Sequence, residues 1–182
     1  MELPKKILIS IPAKNEAATI QNVIRKSLDI VKKTGHEVMC LVVNDGSTDK
    51  TEQLSKEAGA HVISHKDSVG LGTVFQVAVE YATVNQFDLL ITIDGDDQFS
   101  IDEIPNLLAP ILNGSADFVT GSRFHSESQV SNIPYTKHIG NIVVSKMVSW
   151  ILKKEYKDVS CGFRVYTRKA FWWIHIYTGG TA

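Results

Sequence analysis

The sequence predicts an α/β protein, a mostly parallel sheet with helices on both faces, and three observations carry that reading. Apolar runs of strand length alternate with amphipathic helical segments from residue 5 to residue 121. The apolar runs lack a strict two-residue alternation, as expected of strands buried on both faces. Polar clusters stand directly after the runs 5–11, 37–43 and 87–93, and strand ends are where open parallel sheets bind their ligands.

The elements follow in order. KKILISI (5–11) is short and Ile-rich, hence a buried strand. A helix is expected over 16–33, with Ile20, Val23, Ile24, Leu28 and Val31 on one face and Thr34 and Gly35 ending it. EVMCLVV (37–43) is the second strand, and the turn NDGST leads to a short helix over 49–58. A third, short strand spans 60–64. A helix over 72–83 leads to FDLLITI (87–93), the most strand-like run of all. The helix 101–112 stops at Asn113 and Gly114, ahead of the strand ADFVTG (116–121). With neither internal repeats nor low-complexity linkers, residues 1–182 are expected to form a single domain.

Composition bounds the function. At 182 residues, 43% hydrophobic and 21% charged, the chain is long enough to bury a proper core. Cys40 lies in an apolar run and Cys161 far from it, which suggests neither a disulfide framework nor a zinc site and fits a reducing, cytoplasmic setting. The start does not have the form of a signal peptide. No run reaches the ~18 apolar residues of a membrane span. The net charge of −1 is unevenly spread. Residues 1–136 hold 11 Lys/Arg against 18 Asp/Glu, whereas residues 137–182 hold 8 against only Glu155 and Asp158. A basic part for an anionic partner is thus set beside an acidic part that could hold a metal.

The three polar clusters, residues 12–16, 44–49 and 94–98, should meet on one edge of the sheet. In the last, Asp94 and Asp96 stand at i and i+2 of an extended strand end, so their side chains face one site. Two adjacent carboxylates repel each other unless a cation sits nearby. Hard oxygen ligands suit Mg²⁺ or Mn²⁺, which take one or two carboxylates and let substrate phosphates complete the shell. A calcium EF-hand would require Gly and Glu where Phe99 and Pro105 stand. An exposed acidic turn is the alternative. Gly70-Leu71-Gly72 lacks a third glycine at Phe75 and so is no dinucleotide fingerprint. It reads either as a plain turn or as a helix start whose N–H groups meet phosphate or sugar oxygens.

Six motifs in order give the chain a resemblance to the family 2 inverting glycosyltransferases of the GT-A fold, a Rossmann-like architecture. They are IPAKNE (11–16), VVNDGSTDKT (42–51), GLGTVFQVAVEYA (70–82), DGDDQ (94–98), GSRF (121–124) and DVSCGFRVY (158–166). Within that family the chain is similar to dolichyl-phosphate mannose synthases and related polyprenyl-phosphate glycosyltransferases. The resemblance implies that Pro12, Ala13, Lys14 and Glu16 line a base and ribose pocket, with Val43 and Asp45 also at the base and Gly70 at the helix start. It implies that Asp94 and Gly95 border the nucleotide, and that Asp96 and Gln98 bind a metal bridging the diphosphate. Arg123 and Arg164 would lie near the phosphates. A departing nucleoside diphosphate gathers negative charge, which a divalent ion and a guanidinium stabilise. Asn44 stands where the family usually carries Asp, Lys14 replaces an aromatic or small residue, and Asp97 is an added charge. The family continues differently after the GFR motif, so the expectation is a truncated or variant catalytic domain, with a nucleotide-sugar half over about 1–124 and an acceptor half over about 125–182.

For the acceptor, the stretch 136–154 repeats Ile139, Val143, Met147 and Trp150 or Ile151 at helical spacing amid Lys137, His138, Lys146, Lys153 and Lys154. It is expected to be either a core helix with a basic outer face or an interfacial helix at an anionic membrane. Lys137, His138, Gly140 and Asn141 resemble the acceptor-phosphate segment of the polyprenyl-phosphate subgroup. A lipid phosphate needs cations more than a base, whereas a sugar hydroxyl would need a general base, for which Asp158 is the candidate. The expectation is a nucleotide-sugar-dependent transferase working peripherally at the cytoplasmic face of a membrane. A sugar-hydroxyl acceptor and a non-catalytic nucleotide-sugar-binding remnant are the alternatives.

Overall fold

The computed structural model describes residues 3–121 and 161–177. Strands β1 (Lys6–Ala13), β2 (Glu37–Asp45), β3 (His61–His65), β4 (Leu89–Thr92), β5 (Phe118–Thr120) and β6 (Arg164–Thr167) form one sheet in the order β3-β2-β1-β4-β6-β5. The pairs β1–β2, β1–β4 and β2–β3 are parallel. Strand β6 runs antiparallel to both β4 and β5. The sheet is therefore mostly parallel, as the sequence predicts, with one strand reversed.

Helices α1 (Ile20–Lys33), α2 (Thr51–Glu57), α3 (Leu71–Val84), α4 (Ile104–Leu112) and α5 (Arg168–Tyr177) accompany the sheet. Successive strand residues face opposite sides, and β1 divides accordingly. Ile7, Ile9 and Ile11 enter one core with Ile20, Val23 and Ile24 of α1 and Ile104, Leu108 and Ile111 of α4. Leu8 enters the other, with Val74 and Ala78 of α3, Tyr166 of β6 and Phe171 of α5. Both faces are thus covered, which is why the strand runs read as continuously apolar.

Three details differ from the sequence expectation. Helix α1 begins at Ile20 rather than at residue 16. The N–H groups of Thr19 and Ile20 both return to the Glu16 carbonyl (3.1 and 2.9 Å), so residues 16–19 form a turn. A 3₁₀ turn, Ile101–Glu103, precedes α4, whose Pro105 sits in the first turn where its missing N–H is tolerated. Strand β6 and helix α5 were not expected from periodicity. Strand β6 has only four residues, and its partners β4 and β5 lie far away in sequence.

Candidate active site

The carboxyl ends of β1, β2 and β4 bring the three polar clusters together. After β1 the chain turns at Asn15, whose φ of 58° is one that Asn adopts more readily than most residues. Its N–H donates to Ser47 Oγ (2.9 Å), and its Oδ1 accepts from the Thr48 N–H (2.8 Å). The Glu16 N–H donates to Thr51 Oγ1 (2.8 Å) and the Ala17 N–H to Asp49 Oδ2 (3.2 Å). Asn15, Ser47, Asp49 and Thr51 are therefore scaffold, lacing the loop after β2 to the loop after β1. Asn44 belongs with them. Its amide donates to Ser64 Oγ (3.2 Å) and accepts from the Ser47 N–H (3.1 Å). A neutral amide both donates and accepts, which a carboxylate at this position could not do.

Asp45 points to the loop ahead of α3. Its carboxylate accepts from Ser68 Oγ (2.7 Å), the Val69 N–H (2.6 Å) and the Gly70 N–H (3.3 Å). These donors, Ser68 foremost, hold its pKa below the usual carboxylate range, and nearby Lys14 acts in the same direction. Gly46 makes the approach possible. At φ +72°, a Cβ there would sit 2.9 Å from the Ser68 nitrogen, inside any tolerable contact. Sequence reasoning missed Ser68, for which a serine just before the Gly-rich helix start was the only signal.

After β4, Gly95 is buried, and its carbonyl accepts from Thr19 Oγ1 (2.7 Å). Asp96 Oδ1 accepts from the Gln98 N–H (3.1 Å), a side-chain turn that shapes the loop. The extra charge, Asp97, adopts φ 58° and turns to α1, accepting from Asn22 Nδ2 (2.8 Å). Glu16 lies among acids. Burial pushes its carboxyl up, and Asp96, Asp49 and Asp94 push it the same way by repulsion.

These residues border an open cleft of about 230 Å³, lined by Pro12, Ala13, Lys14, Glu16, Asp45, Leu71, Val74, Asp94, Gly95 and Asp96. A second cavity of about 260 Å³ shares Pro12, Leu71, Val74 and Asp94 and adds Ser10, Gly72, Phe75, Thr92, Gly162, Arg164 and Tyr166. Asp94 stands on the wall common to both. Burial pushes the Tyr166 phenol up, while the neighbouring Arg164 acts in the opposite direction.

Of the residues expected at the site, Pro12, Ala13, Lys14, Glu16, Asp45, Asp94, Gly95 and Asp96 line the cleft, and Arg164 lines the adjoining cavity. Gly70 stands at the start of α3, with φ 87° and its N–H on Asp45. Val43 departs from the expectation. It is 0% exposed and packs with Leu8, Leu41 and Val74, because its place in β2 turns its side chain to the sheet face beneath α3. Gln98 is exposed and is not among the residues lining either cavity. Arg123, Lys137, His138, Asn141 and Asp158, and the expected helix over 136–154, lie outside the described residues. Leu71, Val74 and Gly162 were not expected at the site. Leu71, an apolar side chain 67% exposed beside the cleft, is recognisable only once α3 is placed.

Residues 8–174 match the model of the family described as glycosyl transferase family 2. The chain belongs to that family. Among its relatives, the glycosyltransferase AglJ of Haloferax volcanii is 31% identical over 171 residues, covering 94% of this chain and 53% of the relative. The UDP-N-acetylglucosamine–dolichyl-phosphate N-acetylglucosaminyltransferase of Methanococcus voltae is 28% identical over 184 residues, covering 91% and 71% respectively. The chain thus spans about half the length of the first of these. The fold is that of a solved GT-A enzyme, glucosyl-3-phosphoglycerate synthase of Mycobacterium tuberculosis in complex with Mn²⁺, UDP-glucose and phosphoglyceric acid. That match has a TM-score of 0.62 at 19% identity and covers 91% of this chain and 57% of the other.

Proposed function

We propose that this chain is the catalytic part of a metal-dependent inverting glycosyltransferase that moves a sugar from a nucleoside-diphosphate sugar to a polyprenyl phosphate. One observation carries the reading. Glu16, Asp45, Asp94 and Asp96 converge on one cleft at the carboxyl ends of parallel strands, and the Glu16 carboxyl is pushed up by burial first and then by the acids around it. Such a concentration of carboxylates is favourable chiefly when a cation enters.

The donor set fits Mg²⁺ or Mn²⁺. Among the described residues no group of three or more His, Cys, Asp or Glu is arranged as a metal site. A complete protein cage is not required, since such ions take one or two carboxylates and fill the shell with phosphate oxygens and water. Asp96 would hold the ion, with Gln98 approaching from its loop. When bound, the ion supplies positive charge to the departing diphosphate.

Pro12, Ala13, Lys14, Glu16 and Asp45 would border the base and ribose, and Asp94 and Gly95 the ribose and diphosphate. The Gly70 turn brings the start of α3 against the donor. Val43 would act only through the backbone of β2, as its side chain is in the core. Arg164, in the adjoining cavity, and Arg123 would meet phosphate oxygens. An acceptor phosphate oxygen attacks the anomeric carbon, and the carbon–oxygen bond to the diphosphate breaks on the opposite face, inverting the centre. A phosphate monoester is largely ionised at neutral pH, so the step needs cations, for which Lys137, His138 and Asn141 are the candidate site, more than a base. The dolichyl-phosphate acceptor in the name of the Methanococcus voltae relative supports this acceptor class.

The test is thermal unfolding with UDP or GDP, with and without Mn²⁺. A nucleotide at a hundredfold excess over its dissociation constant stabilises by about 2.7 kcal/mol. Asp96→Ala should abolish the Mn²⁺ dependence of that shift. Equal stabilisation in EDTA and in the variant would overturn the metal assignment. With a short-chain polyprenyl phosphate, Lys137→Ala or Arg164→Ala should depress transfer far more than donor binding. If Asp158→Asn abolishes turnover and a sugar hydroxyl is the preferred acceptor, the phosphate-acceptor reading fails.

A further inference from the structure

Asp94 and Gly162 come from segments far apart in the chain, and the sheet makes them neighbours. In the antiparallel ladder of β4 and β6, Thr92 stands opposite Arg164 and Ile91 opposite Val165. Continued two residues past the last pair, that register sets Asp94 opposite Gly162. The junction is pinned by the Thr92 hydroxyl, which donates to the Gly162 carbonyl (2.7 Å). Phe163 anchors the same segment in the core, 3% exposed, with its ring 5.7 Å from that of Phe99.

Space rather than backbone conformation requires glycine at 162. Gly162 is not among the glycines with positive φ, so an alanine could adopt its backbone. The place of a side chain is already taken. A Cβ on Gly162 would lie 2.4 Å from each Asp94 carboxylate oxygen and 2.6 Å from its Cγ. The Asp94 side chain therefore lies across the bare Cα of Gly162. Its carboxylate borders both the cleft and the adjoining cavity because no side chain at 162 displaces it.

We propose that Gly162 is a positioning residue for Asp94: its missing side chain sets where the Asp94 carboxylate stands on the wall between the two cavities. This rests on the reading of the cleft as the nucleotide-sugar site. The atoms that a methyl group at 162 would meet are the end of a short rotatable side chain, not backbone. The clash is relieved by turning Asp94 about its χ1, which carries the carboxylate off the shared wall. An added methyl is therefore expressed at the site more than in the fold. Gly46 behaves differently, because there an added Cβ meets the backbone at Ser68.

The experiment is a double-mutant cycle on the whole chain, comparing wild type, Gly162→Ala, Asp94→Ala and the double variant. It is read by calorimetric titration with UDP and with GDP in Mn²⁺ and by thermal unfolding without ligand. Gly162→Ala should keep a melting temperature near that of wild type and lose nucleotide affinity by roughly ten- to a hundredfold, the range of a displaced charged hydrogen-bonding group. In the Asp94→Ala background the same glycine change should alter affinity no further, since its effect acts through Asp94. Unchanged affinity in Gly162→Ala overturns the proposal. So does an equal loss in both backgrounds, which would mark a packing role independent of Asp94. Should Gly162→Ala fail to fold, Asp94→Gly is added to take the carboxylate out of the way of the methyl. Recovery of the fold then supports the clash with Asp94, and continued unfolding overturns it. If neither nucleotide binds the wild type, the reading of the cleft fails and the positioning role falls with it, a result distinct from wild-type binding that Gly162→Ala leaves intact.

Discussion

Two carboxylates in the cleft, Glu16 and Asp45, respond to their surroundings in opposite ways, and both responses are measurable. The folded-state pKa of Glu16 is raised, chiefly by burial and then by Asp96. Folding therefore favours its protonated form, and its charge destabilises the fold once the pH is above both the ordinary and the raised value. Glu16→Gln should accordingly raise the melting temperature at pH 7 while weakening Mn²⁺-dependent nucleotide binding. A variant that melts below wild type at pH 7 would contradict the acidic-cleft account. Asp45 has the reverse sign. Its folded-state pKa is lowered by Ser68 and the Val69 and Gly70 N–H groups, so its stabilisation is present above the ordinary carboxylate value near 4 and is lost as pH falls through the lowered one. Asp45→Asn should reduce stability at neutral pH and flatten the acid limb of the stability–pH curve. Ser68→Ala should shift both in the same direction by less, which urea melts between pH 2 and 7 would resolve.

Among the elements, β6 and α5 depend most on tertiary context. Helix α5 begins directly after β6, and its Arg168 ties back to the far end of β4, Nε donating to the Phe87 carbonyl (2.8 Å) and Nη2 pairing with Asp88 Oδ1 (3.0 Å). Phe171, 0% exposed, sits in the core beneath α3 with Leu90 and Tyr166. Phe171→Ala should destabilise the chain by about 3–5 kcal/mol, the usual range for an emptied core aromatic site. Chemical denaturation measures it, and a loss under 1 kcal/mol would mean that α5 is only loosely docked. The outer face of α5 leaves Trp172 and Trp173 nearly half exposed, with their rings edge to face at 5.6 Å, and substitutions there should have little effect on the isolated fold.

For the whole molecule, the uneven spread of charge along the sequence is what the proposed anionic partner rests on. Among the described residues no helix is long and apolar enough to cross a membrane. For the proposed lipid-phosphate acceptor, the 8 Lys/Arg of residues 137–182 against two acids are the candidate attachment. Each cation near an anionic surface contributes roughly 1 kcal/mol and is screened by salt. Co-sedimentation with phosphatidylserine vesicles should therefore be strong at low ionic strength and decline steeply as salt is added. Negligible binding at every ionic strength would favour a core role for the stretch 136–154.

Local sequence is enough to read the alternation of strands and helices, the strand ends at which the polar clusters gather, and most of the cleft: Pro12 to Lys14, Glu16, Asp45, and Asp94 to Asp96. These features are legible because each depends on local order, on hydrophobic period and on which residues follow a strand. Long-range packing set the rest. It turned Val43 into the core, since the face taken by one β2 side chain follows from sheet register. It gave Asp45 its partners in Ser68, Val69 and Gly70, and it turned Asp97 away to Asn22. It placed β6 antiparallel between β4 and β5, and so set Gly162 against Asp94, 68 positions away in sequence. A glycine read alone reports only freedom of backbone; that this one keeps a carboxylate in place depends on a pairing between distant strands, which no local pattern encodes.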